Sequence, residues 1–137
     1  MSLQINCRKI VGGSGKGKAL VTHQPINFLT MINAKKGTID QRNHELFGEI
    51  LKDIVLVLPY AVGSSVGAYT IYSLKANQLA PAAIICTEKA DITTASGCAI
   101  SNIPAVDLLG TKLSLTISSG FDIEVDSDKE RIIIKRV

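Results

Sequence analysis

The sequence predicts a β-rich α+β domain of the β/β/α kind. Three observations lead there. Short apolar or alternating runs, bounded by Gly, Pro, Asn and Asp, recur along the 137 residues. Helix-like patterning is confined to two segments, and the longer begins straight after a Gly-Ser-Ser turn. The length is that of one domain, since single domains commonly run to about 100–200 residues. With no internal repeat and no linker-like stretch, residues 1–137 are read as one unit.

Leu3, Ile5 and Cys7 alternate with polar neighbours, as in a half-buried strand. Four glycines between Val11 and Gly17 predict a loop, after which Gly17–Thr22 resumes as a strand and Ile26–Leu29 forms another short one. Met31–Gly48 is polar and turn-rich. As one structureless loop it would be long for a compact domain, so it is expected to carry function or meet a partner. Ile54–Leu58 reads as a buried strand. Ser64 or Ser65 then caps a helix reaching about Gln78, with Val66, Tyr69, Ile71, Tyr72 and Leu74 on its apolar side. Ala80–Cys86 is a second buried strand, and Asp91–Gly97 a short helix with Asp91 at its start and Gly97 at its end. Ile100–Val106 is extended. The tail reads as strands at Lys112–Ile117, Phe121–Val125 and Arg131–Lys135, with Asp126–Lys129 turning the last two into a hairpin.

The composition narrows the function classes. There is no Trp, and with three Phe and three Tyr the core must be aliphatic. The formal charge is +3, with Arg8, Lys9, Lys16 and Lys18 near one end and Lys129, Arg131, Lys135 and Arg136 near the other. Without a dense basic face or stacking aromatics, nucleic-acid binding is not expected. Cys7, Cys86 and Cys98 are widely spaced, which argues against a disulfide framework and against a self-contained zinc or iron–sulfur site. No apolar signal region or membrane-length run is present, and a soluble cytoplasmic protein is expected.

Three places offer chemistry. Gly12–Lys18 meets the spacing of a phosphate loop, but Ala19 stands where a Ser or Thr must hold magnesium, and the glycines fall between two strands. A hairpin loop is the simpler reading, with Lys16 or Lys18 able to face a ligand. His23 and His44 share no metal-ligand spacing, though Asp40 and His44 could both face a substrate. The third place is Gly63-Ser64-Ser65-Val66-Gly67, a strand-to-helix corner with two hydroxyls and several free N–H groups. Such a corner can bind an anion or hold an alkoxide. It has nearly the form of a nucleophile elbow, but no histidine follows Ser65, so a Ser–Asp–His order of hydrolase type is excluded.

Several strings together resemble a family. These are Gly13-Ser-Gly-Lys-Gly-Lys-Ala-Leu-Val21, Pro25-Ile-Asn-Phe28, Gly37 through His44 to Gly48, Val57-Leu-Pro-Tyr-Ala-Val-Gly-Ser-Ser-Val-Gly-Ala-Tyr69 and Ala80-Pro-Ala-Ala-Ile-Ile85. They look like the small subunit of aconitase X, the free-standing swivel-domain protein of the aconitase superfamily, over roughly residues 10 to 106. The resemblance implies a swivelling β/β/α domain, β-rich with one main helix after the Gly-Ser-Ser turn, that docks on a large subunit. It implies no cofactor on this chain and a [4Fe-4S] cluster on the large subunit. It makes Ser64 the proton acceptor and Ser65 its substrate-binding neighbour. Gly63, Val66 and Gly67 complete the substrate-binding turn, with Lys16 and His44 as further substrate-facing candidates. Archaeal members of the family serve as small subunits of phosphomevalonate dehydratase; bacterial relatives belong to hydroxyproline dehydratases. Those relatives often carry Arg before Gly-Ser-Ser, where this chain has Val62, which favours the archaeal type.

The expected function is thus that of a hydro-lyase subunit acting on a small phosphorylated carboxylate, (R)-5-phosphomevalonate, to give trans-anhydromevalonate 5-phosphate. A hydroxyproline-type dehydratase subunit and a non-catalytic phosphate-binding module are the alternatives. A serine hydroxyl is a very weak acid, so it can act as a base only in a dry, electropositive setting. Closure against a second subunit would supply the dryness.

Overall fold

Two four-residue strands set the architecture. In the computed structural model, which describes residues 2–109 and 117–135, every residue of β6 (Val55–Leu58) and β7 (Ala83–Cys86) is buried. Leu56, Leu58, Ile84 and Cys86 face one core with Phe28, Ile71, Leu74 and Cys98. Val55, Val57, Ala83 and Ile85 face another with Ile5, Ile123, Val125, Ile132 and Ile134. A sheet covered on both faces needs apolar side chains at successive positions, which is why both strands read as unbroken apolar runs.

The remaining elements supply the two covers. β1 (Ser2–Asn6), β2 (Arg8–Val11) and β3 (Ser14–Val21) open the chain. After them come α1 (Phe28–Met31), β4 (Ile32–Asn33) and β5 (Thr38–Ile39). Around β6 and β7 lie α2 (Gly67–Ala76), α3 (Ile92–Ser101) and β8 (Ala105–Asp107), and β9 (Asp122–Asp126) and β10 (Arg131–Lys135) close the chain. The sheet runs β1-β10-β9-β3-β6-β7-β8-β2. β3, β6, β7 and β8 are parallel neighbours, and the other pairings are antiparallel. β3 joins the halves: Ser14–Lys18 pair with β9, and Ala19–Val21 with β6. The antiparallel half lies over one face of the parallel half and the helices over the other, giving the expected β/β/α layers.

Four local expectations are corrected. The glycine-rich loop shrinks to Gly12 and Gly13, because Ser14–Gly17 are already in β3. Glycine is required at 15 and 17 since the strand passes so close to the chain that a Cβ would overlap the carbonyls of Ala82 and Asp53. Ile26–Leu29 is a single β-bridge followed by α1, capped by Asn27. The helix begun by Asp91 runs past Gly97 to Ser101 and equals α2 in length, so there are two main helices. Gly97 lies inside it because any side chain there would strike Ile71 of α2. Met31–Gly48 holds the β4–β5 hairpin and buries Ile39 and Leu46 in the helix-side core, so it is a packed excursion. The β9–β10 hairpin matches expectation. The strand expected at Lys112–Ile117 falls, apart from Ile117, outside the described residues.

Candidate active site

Parallel strands β3, β6 and β7 deliver their carboxyl ends to one edge of the sheet, where ligands of open α/β sheets commonly bind. Three connections meet there: Thr22–Asn27, Pro59–Val66 and Thr87–Asp91. The Gly63-Ser64-Ser65 corner belongs to the middle one and is held from both sides. On one side Ile26 forms a parallel bridge with Ala61, and the Val62 N–H donates to the Ile26 carbonyl at 3.0 Å. On the other, Asp91 Oδ1 accepts the Ala61 N–H at 2.7 Å while Asp91 Oδ2 accepts from Thr94 N at 2.9 Å, capping α3. Asp91 thus ties the start of one helix to the chain that leads into the other.

The corner turns at Gly63, whose φ of 91° disfavours other residues, and whose Cα lies against the Asn27 side-chain amide. Ser64 Oγ then accepts the Val66 N–H at 3.2 Å. The N–H of Gly67 donates to the Ser64 carbonyl at 3.0 Å and that of Ala68 to the Ser65 carbonyl at 3.1 Å. A serine oxygen that accepts an N–H at the N-terminus of a ten-residue helix sits where its deprotonated form gains most. Gly63, Ser64, Ser65 and Val66 are exposed, and the Ser64 and Ser65 N–H groups find no acceptor among the described residues. Exposed Val62 and Val66 lie on the middle connection, and exposed Leu29, Tyr69 and Ile92 on the first turns of α1, α2 and α3 that follow the three connections.

The structure therefore gathers Gly63, Ser64 and Ser65, but not all that was expected beside them. The Val66 and Gly67 N–H groups are spent inside the turn, and Gly67 is buried against Thr93, Leu29 and Phe28. The free donors lie one step earlier, on the serines. Lys16 sits within β3 opposite Glu124, near the amino ends of β6 and β7, at the other end of the sheet from Ser64. His44 is buried: its Nε2 lies 3.2 Å from the Pro25 carbonyl and its Nδ1 accepts the Leu46 N–H at 3.0 Å. Both ring nitrogens are committed to the backbone, so His44 shapes the Met31–Gly48 excursion. Sequence reasoning missed Asn27 as a part of the site. An Asn before a short apolar run signals a helix cap, but only the fold brings it to Gly63.

One partly buried ion pair lies behind this edge. Arg8 donates two hydrogen bonds of 2.8 Å to the solvent-inaccessible carboxylate of Asp107, which also accepts the Ala90 N–H at 2.6 Å. Burial alone would raise the Asp107 pKa. The Arg8 and Ala90 hydrogen bonds outweigh it and hold that pKa below its ordinary value. Asp107 thereby anchors the residue preceding Asp91. Away from this edge, Lys9, Lys18 and Arg131 pair with Asp128, Asp122 and Asp126.

Among the described residues no group of three His, Cys, Asp or Glu side chains could hold a metal ion. The cysteines are free and unsuited to it: burial pushes the thiol of Cys7 up to about 11 and that of Cys98 up to about 12, and raises Cys86 as well. No helix of the described residues is long and apolar enough to cross a membrane.

The chain is similar to the phosphomevalonate dehydratase small subunit of Thermococcus sibiricus, with 40% identity over 133 residues, 97% of this chain and 99% of that one. The protein of the same description from Methanocella arvoryzae is 41% identical over 124 residues, 90% of this chain and 93% of that one. Among solved structures, Thermococcus kodakaraensis aconitase X in its holo form superposes with a TM-score of 0.91 at 34% identity, covering 98% of this chain and 99% of that chain. The family model of the aconitase X swivel domain matches residues 4–134. With nearly the whole chain accounted for, the protein belongs to the aconitase X swivel-domain family.

Proposed function

We propose that this chain is the small subunit of a two-subunit phosphomevalonate dehydratase, a cytoplasmic hydro-lyase of the archaeal mevalonate pathway. It would convert (R)-5-phosphomevalonate to trans-anhydromevalonate 5-phosphate, as a single domain that swivels against a large subunit. Relatives of that description at 35–41% identity over nearly the full chain support the reading. The observation that carries it is the exposed Ser64, whose Oγ accepts a helix-terminal N–H in a corner whose adjoining segments carry exposed apolar side chains. A large subunit seated on Leu29, Val62, Val66, Tyr69 and Ile92 would exclude water from the serine.

In this reading Ser64 accepts the proton from the carbon next to the substrate carboxylate, and the hydroxyl on the neighbouring carbon leaves, producing the double bond and water. The Val66 N–H stabilises the Ser64 oxygen when it is charged. Ser65 and the free N–H groups of Ser64 and Ser65 hold the substrate. The family resemblance implies an iron–sulfur cluster, which supplies Lewis acidity for the departing hydroxyl. The three free cysteines of this chain are widely spaced and do not fit such a cluster, and in this reading the large subunit holds it.

The test is to co-express the chain with its large subunit and assay dehydration of (R)-5-phosphomevalonate beside hydroxyproline. Turnover of the first alone is expected. Ser64→Ala should assemble normally and lose about 10²–10⁴ in kcat, the usual contribution of a positioned acid or base. Undiminished turnover by Ser64→Ala would remove the serine from its role.

A further inference from the structure

Asn27 spends only half of its side chain on capping. Its Oδ1 accepts from Leu29 N at 3.1 Å and from Thr30 N at 3.2 Å. Those two donors fix which end of the amide is oxygen, and so which end is nitrogen. Nδ2 is the atom nearest to where a Cβ would stand on Gly63, so it is aimed at the turn, one residue from Ser64. It donates to nothing among the described residues. The backbone carrying it is held in register: Ile26 bridges Ala61, and the Val62 N–H bonds to the Ile26 carbonyl. A helix of four residues does not need an amide at its cap, since Ser, Asp or Thr would serve as well. What asparagine adds there is an amide donor set against Gly63, beside the serines.

We propose that Asn27 is a further catalytic residue of this site, its Nδ2–H₂ donating to an anionic oxygen of the bound carboxylate substrate beside the serine turn. The inference rests on the reading of Ser64 as the base. When Ser64 takes the proton, the electron pair of the broken C–H bond moves toward the substrate carboxylate, which gains negative charge before the neighbouring hydroxyl leaves. Asn27 Nδ2, with the N–H groups of Ser64 and Ser65, offers neutral donors to that charge. A preorganised donor of this kind acts mainly on the transition state, where the charge is larger than in the ground state.

The experiment uses the two-subunit complex with Asn27→Ser and Asn27→Asp. Both replacements are good helix caps, so a purely structural Asn27 would leave each variant close to the native enzyme. A donor role removes the amide in both and adds a negative charge in the second. The expected result is a native melting temperature and a fall in kcat of about 10²-fold for Asn27→Ser, in line with loss of one oxyanion donor, with KM changed far less. Asn27→Asp should be slower still. Folded complexes of both variants with kcat within twofold of native would overturn the proposal, as would full activity of Asn27→Asp alone. Ser64→Ala measured alongside separates the two claims. If it is inactive while Asn27→Ser is native-like, only the role of Asn27 fails. If Ser64→Ala is fully active, the serine reading fails and that of Asn27 with it.

Discussion

Gly12–Lys18 and Gly63–Gly67 are the two glycine-rich segments of the chain, and they sit at opposite ends of its parallel strands. In the first, Gly15 and Gly17 let β3 cross over the carbonyls of Ala82 and Asp53 on its way from the antiparallel half of the sheet to the parallel half. Ser14–Lys18 are paired with β9, so the backbone there is committed. In the second, Gly63 allows a left-handed turn at the carboxyl end of β6, and the serine N–H groups after it find no acceptor among the described residues. Glycine buries backbone at one end and exposes it at the other. Carboxyl ends of parallel strands open toward helix N-termini, and amino ends do not. On the proposed reading, substrate chemistry falls to the serine turn, while the other segment serves assembly of the β/β layers.

Removing the clasp at the carboxyl end should break this contrast most severely. Asp91→Ala deletes the α3 cap and leaves the Ala61 N–H without its acceptor. A lost cap costs about 1 kcal/mol and an orphaned buried donor about 1–3 kcal/mol, so a loss of about 2–4 kcal/mol is expected in chemical denaturation. Because the residue holds the approach to Ser64, kcat should also fall by about 10²-fold, the effect of displacing a catalytic group by about 1 Å. Asp91→Asn, which keeps an acceptor at the cap, should recover much of both.

At the other end stability and turnover should separate. Gly17→Ala places a methyl group on the Asp53 carbonyl, where backbone must yield. Overpacking of this sort costs about 1–3 kcal/mol. The melting temperature should drop while kcat of the assembled enzyme stays within about twofold of native, since no group at Ser64 moves. A kcat loss as large as that of Asp91→Ala would mean that the two ends are coupled.

How far these differences could be read beforehand depends on the range over which each residue acts. β6 and β7 announce themselves because a strand buried on both faces is apolar at every position. The serine corner is legible because its glycines and hydroxyls are adjacent in sequence. Asn27 and Asp91 act on residues thirty or more positions away, and a cap looks the same in sequence whether or not it also clasps a neighbouring turn. Gly15, Gly17 and Gly97 suggested a loop and a helix end because glycine reports a need for room without saying what fills it. Here the fillers are two carbonyls and Ile71, all distant in the chain.

A smaller, pH-dependent effect is expected at the Arg8–Asp107 pair behind the clasp. Asp107 has a depressed pKa when folded, so its contribution is present above the unfolded carboxylate value of about 3.9 and is lost as pH falls through the folded pKa below it. In Arg8→Ala burial acts on Asp107 with less opposition, so its folded pKa should rise. Thermal melts should then show Arg8→Ala less stable than native at neutral pH, with the gap narrowing as pH falls below about 4. A gap independent of pH would show that the guanidinium matters for packing alone.

The smallest effect is expected at Lys16, and it bears most directly on the comparison of the two ends. Lys16, Lys18 and Lys135 with Asp53, Asp122 and Glu124 line a groove of about 480 Å³ at the amino ends of the strands. Within it Lys18 is already paired with Asp122 at 2.8 Å. A phosphorylated substrate anchored at the serine corner would have to span β6 to reach Lys16. That strand has four residues, and a strand rises about 3.3 Å per residue. A substrate of five-carbon backbone plus phosphate, bound by its carboxylate at Ser64, cannot also pass through the sheet to its far end. Lys16→Ala should accordingly leave both KM for the phosphorylated substrate and kcat within twofold of native in the reconstituted complex. A rise of tenfold or more in KM, with stability unchanged, would return the glycine-rich segment to the site and place the phosphate at the amino ends of the strands.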